Sequence, residues 1–124
     1  MNLLLDTHAL PWLAAGDDRL GNTVRQMIED VETAVSVSVV SLWEIAVKAR
    51  LGKLRVNQDR LSQVLRGAGV RRLDILDRHL NVLRALPQFP DHRLISQAIA
   101  EAMVFVTADR RVARYAVETL SCGA

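Results

Sequence analysis

Three short runs constrain the fold of this chain more than any other feature. NLLL (2–5) and MVFVT (103–107) are apolar almost throughout, and TAVSVSVV (33–40) is β-branched and alternating. Each predicts a strand. Around them the apolar residues switch to the helical period. Helical character is expected over 7–15 and over 17–30, where Leu20, Val24, Met27 and Ile28 share a face. From Ser41, the set Leu42, Ile45, Ala46 and Ala49 predicts a helix that stops at Gly52. Further helices are expected over 58–66, 77–86, 91–102 and 109–116, with short strands at 70–75 and 117–120. Strands that alternate with helices and are apolar on both faces imply an α/β fold. The expected architecture is a three-layer α/β/α domain spanning 1–124, with a central, mainly parallel sheet.

Hydrophobic residues make up 50% of the chain but aromatic ones only 4%, so the core must be aliphatic. The one cysteine, Cys122, has no internal disulfide partner, which fits a reducing, cytoplasmic setting. No run approaches the roughly 18 apolar residues of a membrane span, and the start MNLLLDTH lacks the pattern of a signal peptide. Charge is unevenly spread. Residues 1–47 carry two basic and seven acidic side chains, whereas residues 48–114 carry fourteen basic and six acidic ones. A basic excess of this kind attracts polyanions, nucleic acid first among them, although solvated helix faces produce the same count.

Four acids stand at strand–helix junctions: Asp6 after the first strand, Glu44 one turn beyond the second, Asp109 after the late strand, and Asp91 at the start of the helix leading into it. Singly, each fits a helix cap. Aspartate is a favoured N-cap, and SLWE has the form of a capping box between Ser41 and Glu44. Together they gain another meaning, because the carboxyl ends of parallel strands share one edge, where such folds place their sites. Crowded carboxylates resist ionisation unless a cation neutralises them. Hard oxygen donors suit Mg²⁺ or Mn²⁺, and such an ion can activate a water against a phosphodiester.

On the strings LLLDTHALPWL, SLWEIAVKARLGKL and DHRLISQAIAEAMVFVTAD, spread from one end of the chain to the other, it resembles the PIN-domain family, within it the VapC-type toxins of toxin–antitoxin pairs. The resemblance implies a small Mg²⁺- or Mn²⁺-dependent endoribonuclease whose acidic quartet is Asp6, Glu44, Asp91 and Asp109. It also implies a cognate antitoxin, an RNA substrate and a homodimer. Relatives carry Asp-Pro-Phe-Asp-Arg after a His-containing loop, the second aspartate being the ligand. This chain has LPQFPDHRL, with Gln88 at the first aspartate's place and Asp91 at the ligand position.

Lys48, Lys53, Arg110, Arg111 and Arg114 are the candidates for substrate phosphate, with ion pairing on helix surfaces as the alternative. His8 is expected to bond a neighbour, and His79 and His92, which lack zinc spacing, to lie on the surface. Trp12 and Trp43 are expected on apolar helix faces. Thr7 and Thr107, beside two of the acids, fit either a metal-bound water or plain strand-end hydroxyls. Two rivals stand beside the nuclease: a weakened PIN-fold protein that mainly binds its antitoxin, and a receiver-like signalling domain.

Overall fold

The computed structural model describes residues 1–86 and 92–124, with His92 given by its backbone alone. Asp91 and Gln88 therefore lie outside the described residues. Five strands form one sheet: β1 (Asn2–Leu5), β2 (Ala34–Ser38), β3 (Arg71–Leu73), β4 (Val104–Thr107) and β5 (Thr119–Ser121). Their order is β3-β2-β1-β4-β5, and every pairing is parallel. The helices are α1 (Ala9–Ala15), α2 (Asn22–Glu29), α3 (Val39–Arg50), α4 (Gln58–Gly67), α5 (Asp77–Ala85) and α6 (His92–Ala100). A 3-10 helix covers Arg110–Arg114.

The pleat divides the core in two. Leu3 and Leu5 of β1 join Val35, Val37 and Val106 in a cluster with Leu10, Val24, Ile45 and Leu61. Leu4 points the other way and packs with Phe105, Leu94, Ile95, Ala98, Val112 and Tyr115. Leu3, Leu4 and Leu5 are fully buried, which is why NLLL is apolar at every position from 3 to 5. Each contributes about 1.5–3 kcal/mol by leaving water. The two clusters are the interfaces of the three-layer fold. Cys122 belongs to the first of them, and burial pushes its thiol up to about 11.

Several boundaries differ from expectation for local reasons. The helix expected from residue 17 begins at Asn22, because Asp17 closes a turn on Arg19 through its amide and guanidinium. At Gly21 the amide donates to the Cys122 carbonyl, and a Cβ there would collide with the backbone of Gly123 and Ala124. The helix after β2 starts at Val39, two residues early, because the Ser38 hydroxyl accepts from the Val40 amide. Ser38 is thus the cap. Ser41 is buried inside the helix, and the capping box with Glu44 does not form. The segment expected as a last helix over 109–116 makes only the tighter 3-10 turn. Gly52, at φ +71, ends the α3 region as anticipated.

Two aromatic expectations are corrected. Trp43 is 76% exposed, since α3 turns Leu42 and Ile45 inward and leaves Trp43 outside. His79 is only 2% exposed rather than a surface residue. Its Nδ1 accepts from the Leu76 amide at 3.0 Å, which leaves Nε2 to donate to Glu101 at 3.1 Å. The ring ties the start of α5 to the end of α6. Trp12 packs against the first core cluster, as expected.

Candidate active site

The strand order reverses between β1 and β4: the chain runs outward through β2 and β3 on one side, then through β4 and β5 on the other. A crevice at such a switch point, at the carboxyl ends, is where open α/β sheets bind ligands. Asp6 follows β1 there, and its amide continues the ladder by donating to the Val106 carbonyl at 2.9 Å. Asp6 is only 6% exposed. Its Oδ1 accepts from the Thr7 amide at 2.7 Å and its Oδ2 from the Thr107 hydroxyl at 2.6 Å. The Thr107 oxygen in turn accepts from the Asp109 amide at 3.0 Å. Asp6 and Asp109, distant in sequence, are therefore coupled through one threonine.

Glu44 reaches the same edge by another route. The Thr7 and Ser41 hydroxyls share a buried hydrogen bond of 2.8 Å, which fastens the start of α3 beside Asp6. Glu44 lies three residues beyond Ser41, hence on the same side of that helix. Its carboxylate pairs with Arg93 of α6. Asp109 caps the 3-10 helix by accepting from the Arg111 amide at 2.9 Å, and the Arg111 guanidinium grips both its oxygens. That guanidinium holds the Asp109 carboxyl below the usual carboxylate range.

Among the described residues, no group of three or more His, Cys, Asp or Glu side chains is assembled as a metal site. The arginines balance two of the carboxylates instead. The donor chemistry nevertheless suits a hard divalent ion: carboxylates on adjacent elements, hydroxyls beside them, and a buried Cys122 kept within the core.

The cationic candidates separate. Lys48 and Lys53 are exposed and are brought close where α3 ends, with the Lys53 amide donating to the Lys48 carbonyl at 2.9 Å. Arg110 and Arg114 are exposed on the 3-10 helix that Asp109 caps, and the Arg111 guanidinium pairs with that carboxylate. Arg93 was not legible in the sequence, because its partner lies 49 residues away. Ser41 carried only the misleading signal of a cap.

Parallel order, helices on both faces and carboxylates at the switch point define a class of α/β protein built to act at the carboxyl edge of its sheet. The PIN domain profile matches residues 3–118. The chain belongs to the PIN domain family, whose members are nucleases. No curated protein sequence matches it significantly. Among solved structures, VapBC2 of Rickettsia felis, bound to a DNA fragment from its promoter, matches with TM-score 0.72 and 18% identity over 98% of each chain. DNA-bound VapBC of Salmonella typhimurium matches with TM-score 0.67 and 15% identity, again over 98% of each chain. PAE2754 of Pyrobaculum aerophilum is 27% identical over 98% of this chain and 84% of that one, with TM-score 0.58. The receiver-like alternative is set aside, since receivers follow the order 2-1-3-4-5 and this sheet does not.

Proposed function

We propose that this protein is a metal-dependent endoribonuclease and the toxin of a toxin–antitoxin pair. The observation that carries the reading is the Asp6–Thr107–Asp109 linkage at the switch point, with Glu44 fastened alongside through Ser41 and Thr7. Asp6, Glu44 and Asp109, joined by Asp91 through the family resemblance, would hold Mg²⁺ or Mn²⁺. When bound, the ion supplies an activated water and charge neutralisation at the RNA phosphodiester. Thr107 fixes the rotamer of Asp6, and Arg93 and Arg111 balance the charge of Glu44 and Asp109. Lys48, Lys53, Arg110 and Arg114 attract the phosphates that the carboxylates repel. The toxin–antitoxin complexes among the structural relatives support a cognate antitoxin as partner; a homodimer and a cytoplasmic setting complete the proposal.

One observation favours the rival reading of a weakened nuclease that mainly binds its antitoxin: two carboxylates already have guanidinium partners. Incubating the purified protein with RNA in Mg²⁺, in Mn²⁺ and in chelator separates the two. Cleavage that requires the ion and disappears in Asp6→Asn supports the nuclease. Tight binding to a cognate antitoxin, without cleavage in either ion, supports the rival.

A further inference from the structure

A cavity of about 550 Å³ opens at the carboxyl ends of β4 and β5, beside Asp109. Thr107, Asp109, Arg110, Trp12 and Arg19 are among the residues that line it. Its volume falls in the range of small-ligand sites, about 300–1,000 Å³. The Arg19 guanidinium lies over the Trp12 ring, 5.0 Å from its centroid. It is held there by Asp17, with Nε donating to Oδ1 at 3.1 Å and Nη2 to Oδ2 at 2.7 Å. The exposed His8 ring stacks on Trp12 at 6.2 Å and 24°. An aromatic ring and a guanidinium thus stand in the cavity with Asp109.

We propose that this cavity is a nucleobase subsite, in which the base of a nucleotide next to the scissile phosphodiester lies against Trp12 and Arg19. The proposal rests on the ribonuclease reading above. Every base has a π-face, so stacking on an aromatic ring or a guanidinium plane recognises a base without reading its edge. Arg110, which also lines the cavity, makes no ion pair among the described residues and meets the phosphate joined to that base. Trp12 acquires a role beyond its packing against the core.

The chain has two tryptophans, and Trp43 is exposed, so Trp43→Phe leaves Trp12 as the one tryptophan, which can be excited selectively over Tyr115. In chelator, a short single-stranded oligoribonucleotide should bind this variant and quench its fluorescence saturably. An oligonucleotide of abasic ribose phosphates should bind without quenching. Trp12→Leu should weaken binding about 5- to 150-fold, the range that a lost base stack implies, and Trp12→Phe should retain most of the affinity. Arg19→Gln, which spares the core, should weaken binding as well and guards against misfolding of the leucine variant. RNA binding with unchanged Trp12 fluorescence and undiminished affinity in Arg19→Gln would overturn the subsite alone. No binding of RNA under any condition would overturn the subsite and the ribonuclease reading together.

Discussion

The Thr107 hydroxyl donates to Asp6 Oδ2 at 2.6 Å, joining residues 101 positions apart in sequence. Because the same oxygen accepts from the Asp109 amide, one side chain sets the position of two acids. Thr107→Val keeps the shape and removes both bonds. Cleavage is expected to fall about 10- to 100-fold, as when groups supporting metal ligands are lost. Stability should fall by about 1–3 kcal/mol, because a buried carboxylate loses a donor. Thr107→Ser should restore both. A valine variant with wild-type turnover would show that Asp6 needs no such support.

Metal binding should appear as stabilisation. At a free Mg²⁺ concentration ten times the dissociation constant, mass action adds about 1.4 kcal/mol, a rise in Tm of roughly 4–6 °C for a chain of this size. Asp6→Asn should abolish the rise, since the amide lacks the charge the ion requires. Thermal melts of both proteins in Mg²⁺, Mn²⁺ and chelator test this. A wild-type melting point indifferent to both ions would speak against the carboxylate site.

RNA affinity should weaken steeply with salt, because cations that contact phosphate release condensed counterions. Charge reversal at Arg110, together with Lys48 or Lys53, should lower both the affinity and the salt slope. Titrations of uncleaved RNA in chelator at several ionic strengths measure both quantities. A slope unaltered by these reversals would place the RNA on another face.

Glu101 provides a pH-dependent link. Arg78 first, and His79 second, hold its carboxyl down at about 2 against an ordinary 4.5. A folded-state value below the unfolded one means stability that is complete above pH 4.5 and lost as pH falls from there toward 2. Glu101→Gln should lower Tm at neutral pH and flatten the acid limb in that window. The comparison needs only melts across the acid range, and parallel curves for the two proteins would refute it.

Ala102 has φ +54 where α6 gives way to β4. Its amide donates to the Ile99 carbonyl, and the Met103 amide to the Ala98 carbonyl at 2.8 Å, so the helix closes on a left-handed residue with a Cβ. That conformation costs about 1–2 kcal/mol, which glycine avoids, while glycine's looser unfolded chain returns part of the gain. Ala102→Gly is expected to raise stability by roughly 0.5–1 kcal/mol, measured by denaturant unfolding. A loss of stability would mean that the methyl group contributes packing.

By itself the sequence determined which segments are strands and nearly all of the helices, that the sheet is parallel, and that Asp6 and Asp109 follow strands at its carboxyl edge. Those features are local: burial on both faces makes a strand apolar throughout, and a helix shows its buried side every three or four residues. The same locality explains its errors. Ser38 and Ser41 are both plausible caps for one helix, and the choice went to Ser38 because Ser41 found a partner in Thr7. Periodicity inverted the exposure of Trp43 and missed the burial of His79, whose partners Gln97 and Glu101 arrive from another helix. Only the tertiary structure set β1 beside β4, and with it Thr107 between Asp6 and Asp109, Arg93 on Glu44, and Trp12 in one cavity with Arg110. Strand order follows from how the connections cross the sheet, and hydrogen bonds between residues 49 or 101 positions apart leave no periodic trace in the chain that makes them.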